Sequence, residues 1–196
     1  MLQCPSKKSV CIGLTIFFIG GIGFAALDSA MTYTSRMEFC VSCHSMKTNY
    51  AEYKKTLHYK NASGVRASCA DCHVPDAFFP KVHSKLFALR DVVYEWIGTI
   101  DSEEKFEAKR WQMASRVWAR MRANDSRECR SCHEYRFMEF DQQGERAGKK
   151  HSRTDMRGKT CIDCHSGLVH EEPLEPAGLV QKTQPQRPQS QPETTG

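Results

Sequence analysis

The sequence predicts a mostly α-helical protein with one N-terminal transmembrane helix and an interior that its own side chains do not fill. Three observations support this class: an uncharged run near the N-terminus, a shortage of aliphatic residues beyond it, and a cysteine motif that occurs four times. Between Cys40 and Glu172, Ile, Leu, Val and Phe account for 21 of 133 residues, about 16 %. Chains below roughly 20 % struggle to bury enough apolar surface to fold alone. Either the chain is largely disordered, or a group that is not polypeptide supplies its core.

The uncharged run spans residues 10–27 and is long enough to cross a membrane. A spanning helix needs roughly 17–25 apolar residues, whereas the core of a signal peptide has about 7–15. Lys7 and Lys8 precede the run, and the next cationic residue is Arg36. The positive-inside rule therefore predicts a short cytoplasmic N-terminus and a periplasmic remainder, anchored in a bacterial inner membrane. A signal peptide cleaved near Gly23–Ala25 is the alternative, and the length of the run favours the anchor.

Eight of the ten cysteines form four C-x-x-C pairs, and a histidine follows each pair directly. Positions i, i+3 and i+4 share one face of a helix. Two thiols there form thioethers to the vinyl groups of a porphyrin, and the imidazole reaches its iron. Zinc held by C-x-x-C pairs is the competing interpretation, but zinc does not require that histidine. Four covalently bound haems would also supply the missing core. The motifs are Cys40-Cys43-His44, Cys69-Cys72-His73, Cys129-Cys132-His133 and Cys161-Cys164-His165.

The spacing of the motifs indicates a duplicated unit. The first two motifs start 29 residues apart and the last two 32 apart, whereas 60 residues separate the second from the third. Each half also has an extra histidine, because His58 and His151 lie 11 and 10 residues before the second motif of their halves. This pattern predicts two di-haem units, at about residues 36–98 and 124–170.

The axial ligands of the irons must come from a small set of side chains. Four histidines outside the motifs are enough to place two imidazoles on every iron. Met46, two residues after His44, offers instead a thioether, a ligand that raises the reduction potential. The residues by themselves leave both schemes open for the first haem. The four further histidines are His58, His83, His151 and His170.

Residues 75–98 predict a turn and then an amphipathic helix that ends at Gly98. Aromatic residues are more numerous there than one buried face requires, and lysines and arginines are interleaved with them. Such a segment suits a helix lying at the membrane surface, and a helix packed on haem is an equal alternative. The apolar stripe consists of Phe79, Val82, Leu86, Leu89 and Val93.

A second soluble helix is predicted over Ser102–Ala123, with Asp101 and Glu104 resembling a capping box and with an apolar stripe along one face. Its basic residues fall largely on another side, where they would be solvated or would bind haem propionates or an acidic partner. The helix is expected to space the two halves. The predicted regions are a cytoplasmic stretch 1–9, an anchor 10–27, a periplasmic tetrahaem domain 28–172 and a Pro/Gln-rich disordered tail 173–196.

Four stretches resemble the NapC/NirT family of membrane-anchored tetrahaem cytochromes c. They are "EFCVSCHSM", "LHYKNASGVRASCADCHVP", "KFEAKRWQMASRVWARMRANDSRECRSCH" and "TCIDCHSGLVH". The resemblance implies that His58, His151 and His170 are distal ligands of the second to fourth haems, with their assignment open. It also implies that the first haem has Met46 or His44 on one side and an open or weakly held position on the other. His83 matches no ligand position of the family.

The resemblance also implies a quinol site beside the first haem, because relatives carry a lysine and an acidic residue there, six positions apart. Lys85 and Asp91 have this spacing. On a helix six residues turn through about 120°, so the two side chains would flank a ligand rather than pair directly. Lys85 is expected to hold a quinol oxygen and Asp91 to accept its proton. Two solvated charges are the alternative.

The function implied is that of a quinol-dehydrogenase-type electron-transfer subunit in anaerobic respiration. It would take electrons from menaquinol or ubiquinol and deliver them to a periplasmic reductase. Nitrate reductase is the expected partner, since the long matches resemble the NapC branch. One alternative is a docking subunit for a nitrite, TMAO or similar reductase without its own quinol site. The others are a terminal reductase acting at the first haem and a zinc protein. The net charge of +5 is too small to indicate nucleic acid.

Overall fold

The structure is a computed structural model that describes residues 6–152 and 158–176. Within these residues it contains eight α-helices, three 3-10 turns and no β-strand, which confirms the mostly α prediction. Most of the predicted disordered tail lies outside the described residues. The helices are α1 (Lys7–Tyr33), α2 (Met37–Cys40), α3 (Met46–Tyr53), α4 (Cys69–His73), α5 (Phe78–Trp96), α6 (Glu103–Ala123), α7 (Arg127–Arg130) and α8 (Glu145–His151). The 3-10 turns are Tyr135–Phe137, Phe140–Gln142 and Cys161–Asp163.

Helix α1 contains the predicted anchor and continues beyond it. Ser6 caps the helix by accepting a hydrogen bond from the backbone N–H of Ser9, and the helix then runs for 27 residues to Tyr33. No side chain of α1 is buried against the rest of the described chain. A helix that is apolar on every side and packs on little protein fits a bilayer.

Helix α5 turns its polar side toward the domain and its apolar stripe away from it. Ser84 is buried, and its hydroxyl donates to the backbone oxygen of His73 at 3.2 Å. Leu86 and Leu89, on the opposite side, are 61 % and 56 % exposed. The helix ends as predicted, because Gly98 adopts a left-handed conformation with φ 76°. The apolar stripe is therefore free to contact something outside the described chain.

Helix α6 begins one residue later than predicted, and its cap differs from the predicted one. Ser102 is the N-cap, with its side chain accepting from the backbone N–H of Lys105. Asp101 instead forms an ion pair with the Lys105 ammonium at 2.8 Å. The predicted capping box of Asp101 and Glu104 is therefore wrong, because the N-cap is Ser102 and the Asp101 carboxylate is paired with the Lys105 ammonium instead.

The apolar interior of the described chain is small, as the composition predicts. Its buried hydrophobic residues are few: two lie on α6, and the other three lie on α3, in the loop before α6 and in the last 3-10 turn. Helix α4 packs against α7, so the interval that contains α6 does not hold the two halves of the chain apart. The buried hydrophobic residues are Tyr53, Ile100, Phe106, Met121 and Ile162.

Candidate functional site

Two of the four C-x-x-C-H motifs begin with the same local capping structure. Ser68 and Asp71 exchange side-chain and backbone hydrogen bonds at the start of α4. Thr160 and Asp163 form the same capping box at the fourth motif. The sequence pattern S/T-C-x-D-C-H thus makes each of these motifs start a helical turn, which places both cysteines and the histidine on one side.

The four motifs lie in a row in the order of the chain. The first two are neighbours, since α2, which ends at Cys40, packs against α4, which begins at Cys69. The second and third meet where α4 packs on α7, and burial together with the neighbouring Cys129 thiol raises the pKa of Cys72 to about 11. The third and fourth are joined by Ser126, whose fully buried hydroxyl accepts from the backbone N–H of Ile162 at 3.2 Å. The structure therefore places neighbouring sites close together along one path.

Three motif histidines face a second histidine from elsewhere in the chain. An imidazole nitrogen bound to a metal ion lies about 2 Å from it, so two imidazoles on opposite sides of one ion have ring centroids about 6 Å apart. Each of the three pairs has this separation and has a C-x-x-C pair beside it, so the arrangement fits a haem iron between the two rings. The pairs are His58 with His133 at 6.1 Å, His73 with His170 at 6.2 Å and His151 with His165 at 6.0 Å.

The protein environment keeps several of these imidazoles neutral. Burial lowers the pKa of His73 to about 4. Burial also lowers the pKa of His58 and of His170, and the adjacent Glu52 carboxylate opposes the shift at His170. A neutral imidazole is the form that binds a metal ion, so these rings are ready to act as ligands near neutral pH.

Tyrosine hydroxyls hold the segments that carry two of the distal histidines. The side chain of Tyr53 is buried, and its hydroxyl donates to the backbone oxygen of Ala67, across the loop that contains His58. The hydroxyl of Tyr135 donates to the backbone oxygen of His151. Neither tyrosine is singled out by the sequence motifs, because these contacts depend on where the loops return.

The first motif is organised by a glutamate that the sequence analysis missed. Glu95 Oε1 accepts from the backbone N–H groups of His44 and Ser45, at 2.7 and 3.3 Å. Its other oxygen is buried without a hydrogen-bond partner in the described part of the chain. Among the described residues, His44 is the motif histidine without a second imidazole opposite it, and Met46 starts α3 next to it. The first site therefore differs from the other three.

The two residues expected to form a quinol site, Lys85 and Asp91, have different partners in the structure. Lys85 Nζ donates to Thr34 Oγ1 at 3.0 Å, at the end of α1 and six residues before Cys40. Burial lowers the pKa of Lys85. Asp91 is half exposed and lies 3.7 Å from an Arg116 nitrogen on α6. No ion pair joins Lys85 and Asp91 within the described residues.

His83, which matches no ligand position of the family, belongs to none of the three imidazole pairs. It is exposed on α5, and its ring contacts that of Phe87 in a tilted arrangement, with centroids 4.6 Å apart. The basic residues of α6, which are candidates for binding an acidic partner, are exposed as well. They are Lys105, Lys109, Arg116 and Arg120, of which Lys105 is tied to Asp101.

One apolar helix at the N-terminus, a small protein core and repeated Cys-x-x-Cys-His motifs beside facing imidazoles define a membrane-anchored c-type cytochrome. A profile of the NapC/NirT cytochrome c family, N-terminal region, matches residues 4–175. The chain belongs to this family.

Named relatives match over nearly the same part of the chain. A protein of Allochromatium vinosum named as a tetraheme cytochrome of c type is 51 % identical over 87 % of this chain and 94 % of its own. Cytochrome c-type protein NapC of Escherichia coli is 44 % identical over 87 % of this chain and 86 % of its own. The denitrification system component NirT of Stutzerimonas stutzeri is 46 % identical over 88 % of both chains.

Family membership establishes the coarse function of the protein. It is an electron-transfer cytochrome with covalently bound c-type haem, and helix α1 makes it a single-pass membrane protein. Members of this family deliver electrons to periplasmic reductases. The names of the relatives differ, so they do not distinguish one reductase from another.

Proposed function

We propose that this chain is a tetrahaem cytochrome that oxidises membrane quinol and passes the electrons to a periplasmic terminal reductase. The observation that carries the proposal is the row of four motifs, which starts beside the end of α1 and contains three imidazole pairs. A c-type haem supplies one-electron redox chemistry when it is bound. The eight motif cysteines would hold these groups as thioethers: Cys40, Cys43, Cys69, Cys72, Cys129, Cys132, Cys161 and Cys164.

The imidazole pairs support one assignment of the axial ligands. Each pair contains the histidine of one motif, so the second histidine of the pair is the proposed distal ligand of the same iron. In the first site, His44 or Met46 would be the ligand, and no second imidazole faces His44 among the described residues. The assigned pairs are His73 with His170 for the second haem, His133 with His58 for the third and His165 with His151 for the fourth.

Access of quinol to the first site is supported by the position of α5. The rings of Phe24 in α1 and Phe78 in α5 contact each other, with centroids 5.6 Å apart, so α5 starts beside the membrane helix. Its apolar stripe faces away from the domain, as in a helix that lies in a membrane surface. In this position Lys85 would lie between the bilayer and the first motif, where a quinol head group would arrive.

Proton handling is the second task of these residues, because quinol gives up two protons with its two electrons. Lys85 would donate a hydrogen bond to a quinol oxygen, and its partly buried ammonium would stabilise negative charge on that oxygen as a proton leaves. Asp91 would accept a proton and release it to water, since its side chain is 50 % exposed. The unpartnered Glu95 oxygen beside His44 is a further acceptor within the same site.

The direction of transfer would be from the membrane to the periplasm. Lys7 and Lys8 precede α1, which favours a cytoplasmic N-terminus and a periplasmic domain. Periplasmic nitrate reductase is the proposed acceptor, on the resemblance of the long sequence stretches to the NapC branch. Nitrite and TMAO reductases are the acceptors to compare with it.

A reconstituted system tests the proposal. The purified full-length protein in liposomes receives a menaquinol or a ubiquinol analogue, and the reduced haem absorption bands are followed. We expect reduction by at least one quinol, followed by reoxidation when nitrate reductase and nitrate are added. Haems that dithionite reduces but neither quinol reduces would instead indicate a docking subunit. Reoxidation by nitrate or nitrite without any added reductase would indicate a terminal reductase.

A further inference from the structure

A buried ion pair between α3 and α6 lies beside the last described segment of the domain. The side chains of Glu52 on α3 and Arg110 on α6 are each 9 % exposed. Arg110 Nη2 donates to Glu52 Oε1 at 2.6 Å. An ion pair in such a place is often no more stabilising than apolar side chains of the same volume, because both charges lose their water. A gain in stability alone therefore does not explain why this ion pair is buried here.

Both members of the ion pair form hydrogen bonds to the backbone of Glu171, the residue that follows His170. The backbone N–H of Glu171 donates to Glu52 Oε2 at 3.0 Å, and its carbonyl accepts from Arg110 Nη2 at 3.0 Å. Both polar backbone groups of Glu171 are thus held by the two buried charges. The segment around Glu171 has no regular secondary structure, and these two hydrogen bonds fix its backbone. They thereby also fix the backbone position of the preceding residue, His170.

The Glu52 carboxylate also lies next to the imidazole of His170. Its Oε2 is 3.7 Å from His170 Nδ1, and that nitrogen is buried without a hydrogen-bond partner in the described part of the chain. The centroid of the same ring lies 6.2 Å from that of His73. A metal-bound histidine commonly directs its other ring nitrogen at a carboxylate, which fixes the tautomer and the ring orientation.

We propose that Glu52 is the positioning residue for the His170 ligand: it directs Nε2 at the second iron and increases the electron density that the ring donates. This inference rests on the ligand role proposed above for His170. Arg110 keeps the carboxylate in place, and Glu107 holds the other side of the guanidinium at 2.8 Å. Because a more basic imidazole favours the oxidised iron, Glu52 lowers the reduction potential of the second haem relative to the same site without the charge.

The full-length protein carrying Glu52→Gln tests this role, with a redox titration at one fixed pH and CO binding to the reduced haems. We expect one of the four midpoint potentials to rise and a new fraction of haem to bind CO, as His170 is held less firmly. Glu107→Gln is the matched control, since Glu107 pairs with the same arginine, is 44 % exposed and forms no hydrogen bond or ion pair with His170 or Glu171 within the described residues. Its potentials and CO binding should equal those of the wild type.

A reference variant separates this inference from the proposed ligation. His170→Ala should convert one six-coordinate haem into a five-coordinate haem that binds CO fully. If His170→Ala adds no five-coordinate haem to those present in the wild type, the ligand assignment itself is wrong. If His170→Ala behaves as expected and Glu52→Gln matches the wild type in both measurements, the positioning role of Glu52 is overturned.

A second variant covers the case in which Glu52→Gln fails to assemble with all its haems. Glu52→Asp keeps the negative charge but withdraws it from His170 and Glu171 by one methylene. We expect its potentials to stay near those of the wild type while its CO-binding fraction rises. Glu52→Asp protein with an unchanged CO-binding fraction would contradict the proposal.

Discussion

The imidazole of His58 lies 6.1 Å, centroid to centroid, from the imidazole of His133. His58 belongs to the first half of the repeated pattern, whereas His133 completes the third motif in the second half. His73 and His170 also join the two halves, but here the motif histidine belongs to the first half and the further histidine to the second. In the proposed scheme each half therefore supplies an axial ligand to the other, and the two units are interlocked rather than independent.

The cross-pairing predicts which substitutions affect the same haem. His58→Ala and His133→Met should each alter the third haem only, so the double variant should still show one altered haem. His58→Ala combined with His151→Ala should alter two haems, since His151 faces His165. Low-temperature EPR and CO titration count the altered haems. Two altered haems in the His58/His133 double variant would show that these residues serve different irons.

Lys85 is predicted to contribute to quinol oxidation and not to haem assembly. A hydrogen bond to a charged group contributes about 1.5–3 kcal/mol, so Lys85→Ala should reduce the rate of haem reduction by quinol by about 10–100-fold. Reduction by dithionite and the absorption spectrum should stay unchanged. Lys81→Ala, on the previous turn of α5, is the matched control and should retain quinol oxidation. If Lys85→Ala and Lys81→Ala show equal rates of haem reduction by quinol, Lys85 is not part of the quinol site.

The apolar stripe of α5 is predicted to meet the bilayer and guide quinol to the first site. Leu89 is 56 % exposed, so Leu89→Glu should leave the haem spectrum intact while raising the KM for quinol in liposomes by about tenfold, given the transfer energy of a leucine side chain. Leu57→Glu, at a position 77 % exposed and outside α5, is the control. If Leu89→Glu has the same KM for quinol as the wild type, the apolar stripe of α5 faces water and not the bilayer.

Gly148 is predicted to be required for holding His151. Helix α8 packs on the Phe140–Gln142 turn, and a Cβ at Gly148 would lie 2.3 Å from the backbone oxygen of Phe140. Gly148→Ala should therefore push α8 away, at a cost of about 1–3 kcal/mol, and weaken ligation of the fourth haem. Thermal unfolding and the fraction of CO-binding haem measure the two effects. Gly144→Ala, where a Cβ meets nothing within 4 Å, should be tolerated, and equal behaviour of the two alanines would refute the packing argument.

The fourth motif is predicted to lose a stabilising contact in acid. The Thr160 backbone N–H and the Arg122 guanidinium lower the pKa of Asp163 to about 2, whereas an unfolded aspartate titrates near about 3.9. Because the folded pKa is the lower one, the stabilisation is complete above about pH 4 and disappears as the pH falls toward 2. Asp163→Asn should therefore unfold at a lower temperature than the wild type at neutral pH, with the gap closing in acid. Asp125→Asn is the exposed control, and a gap for Asp163→Asn that persists at pH 2 would count against this cause.

The sequence alone was enough for the fold class, the anchor and the family, since each depends on local chemistry or on composition. The spacing of Cys69, Cys72 and His73 places them on one helical turn whatever the rest of the chain does. The length of α1 and the shortage of aliphatic residues are likewise properties of composition. The capping serine at Ser102 was missed although it is visible in the sequence, because Asp101 was a competing candidate.

The pairing of distant residues was decided by the tertiary structure. Nothing in the spacing indicates that His58 faces His133, that Glu95 holds the backbone at His44, or that Glu52 lies against His170. These contacts depend on the path of loops and of α6, which bring together positions 50 to 120 residues apart. The tertiary structure also decides which way the apolar side of α5 faces, because periodicity identifies an apolar stripe but not its surroundings. Local periodicity acts within a few turns, whereas the identity of a neighbour across the fold depends on how the whole chain packs.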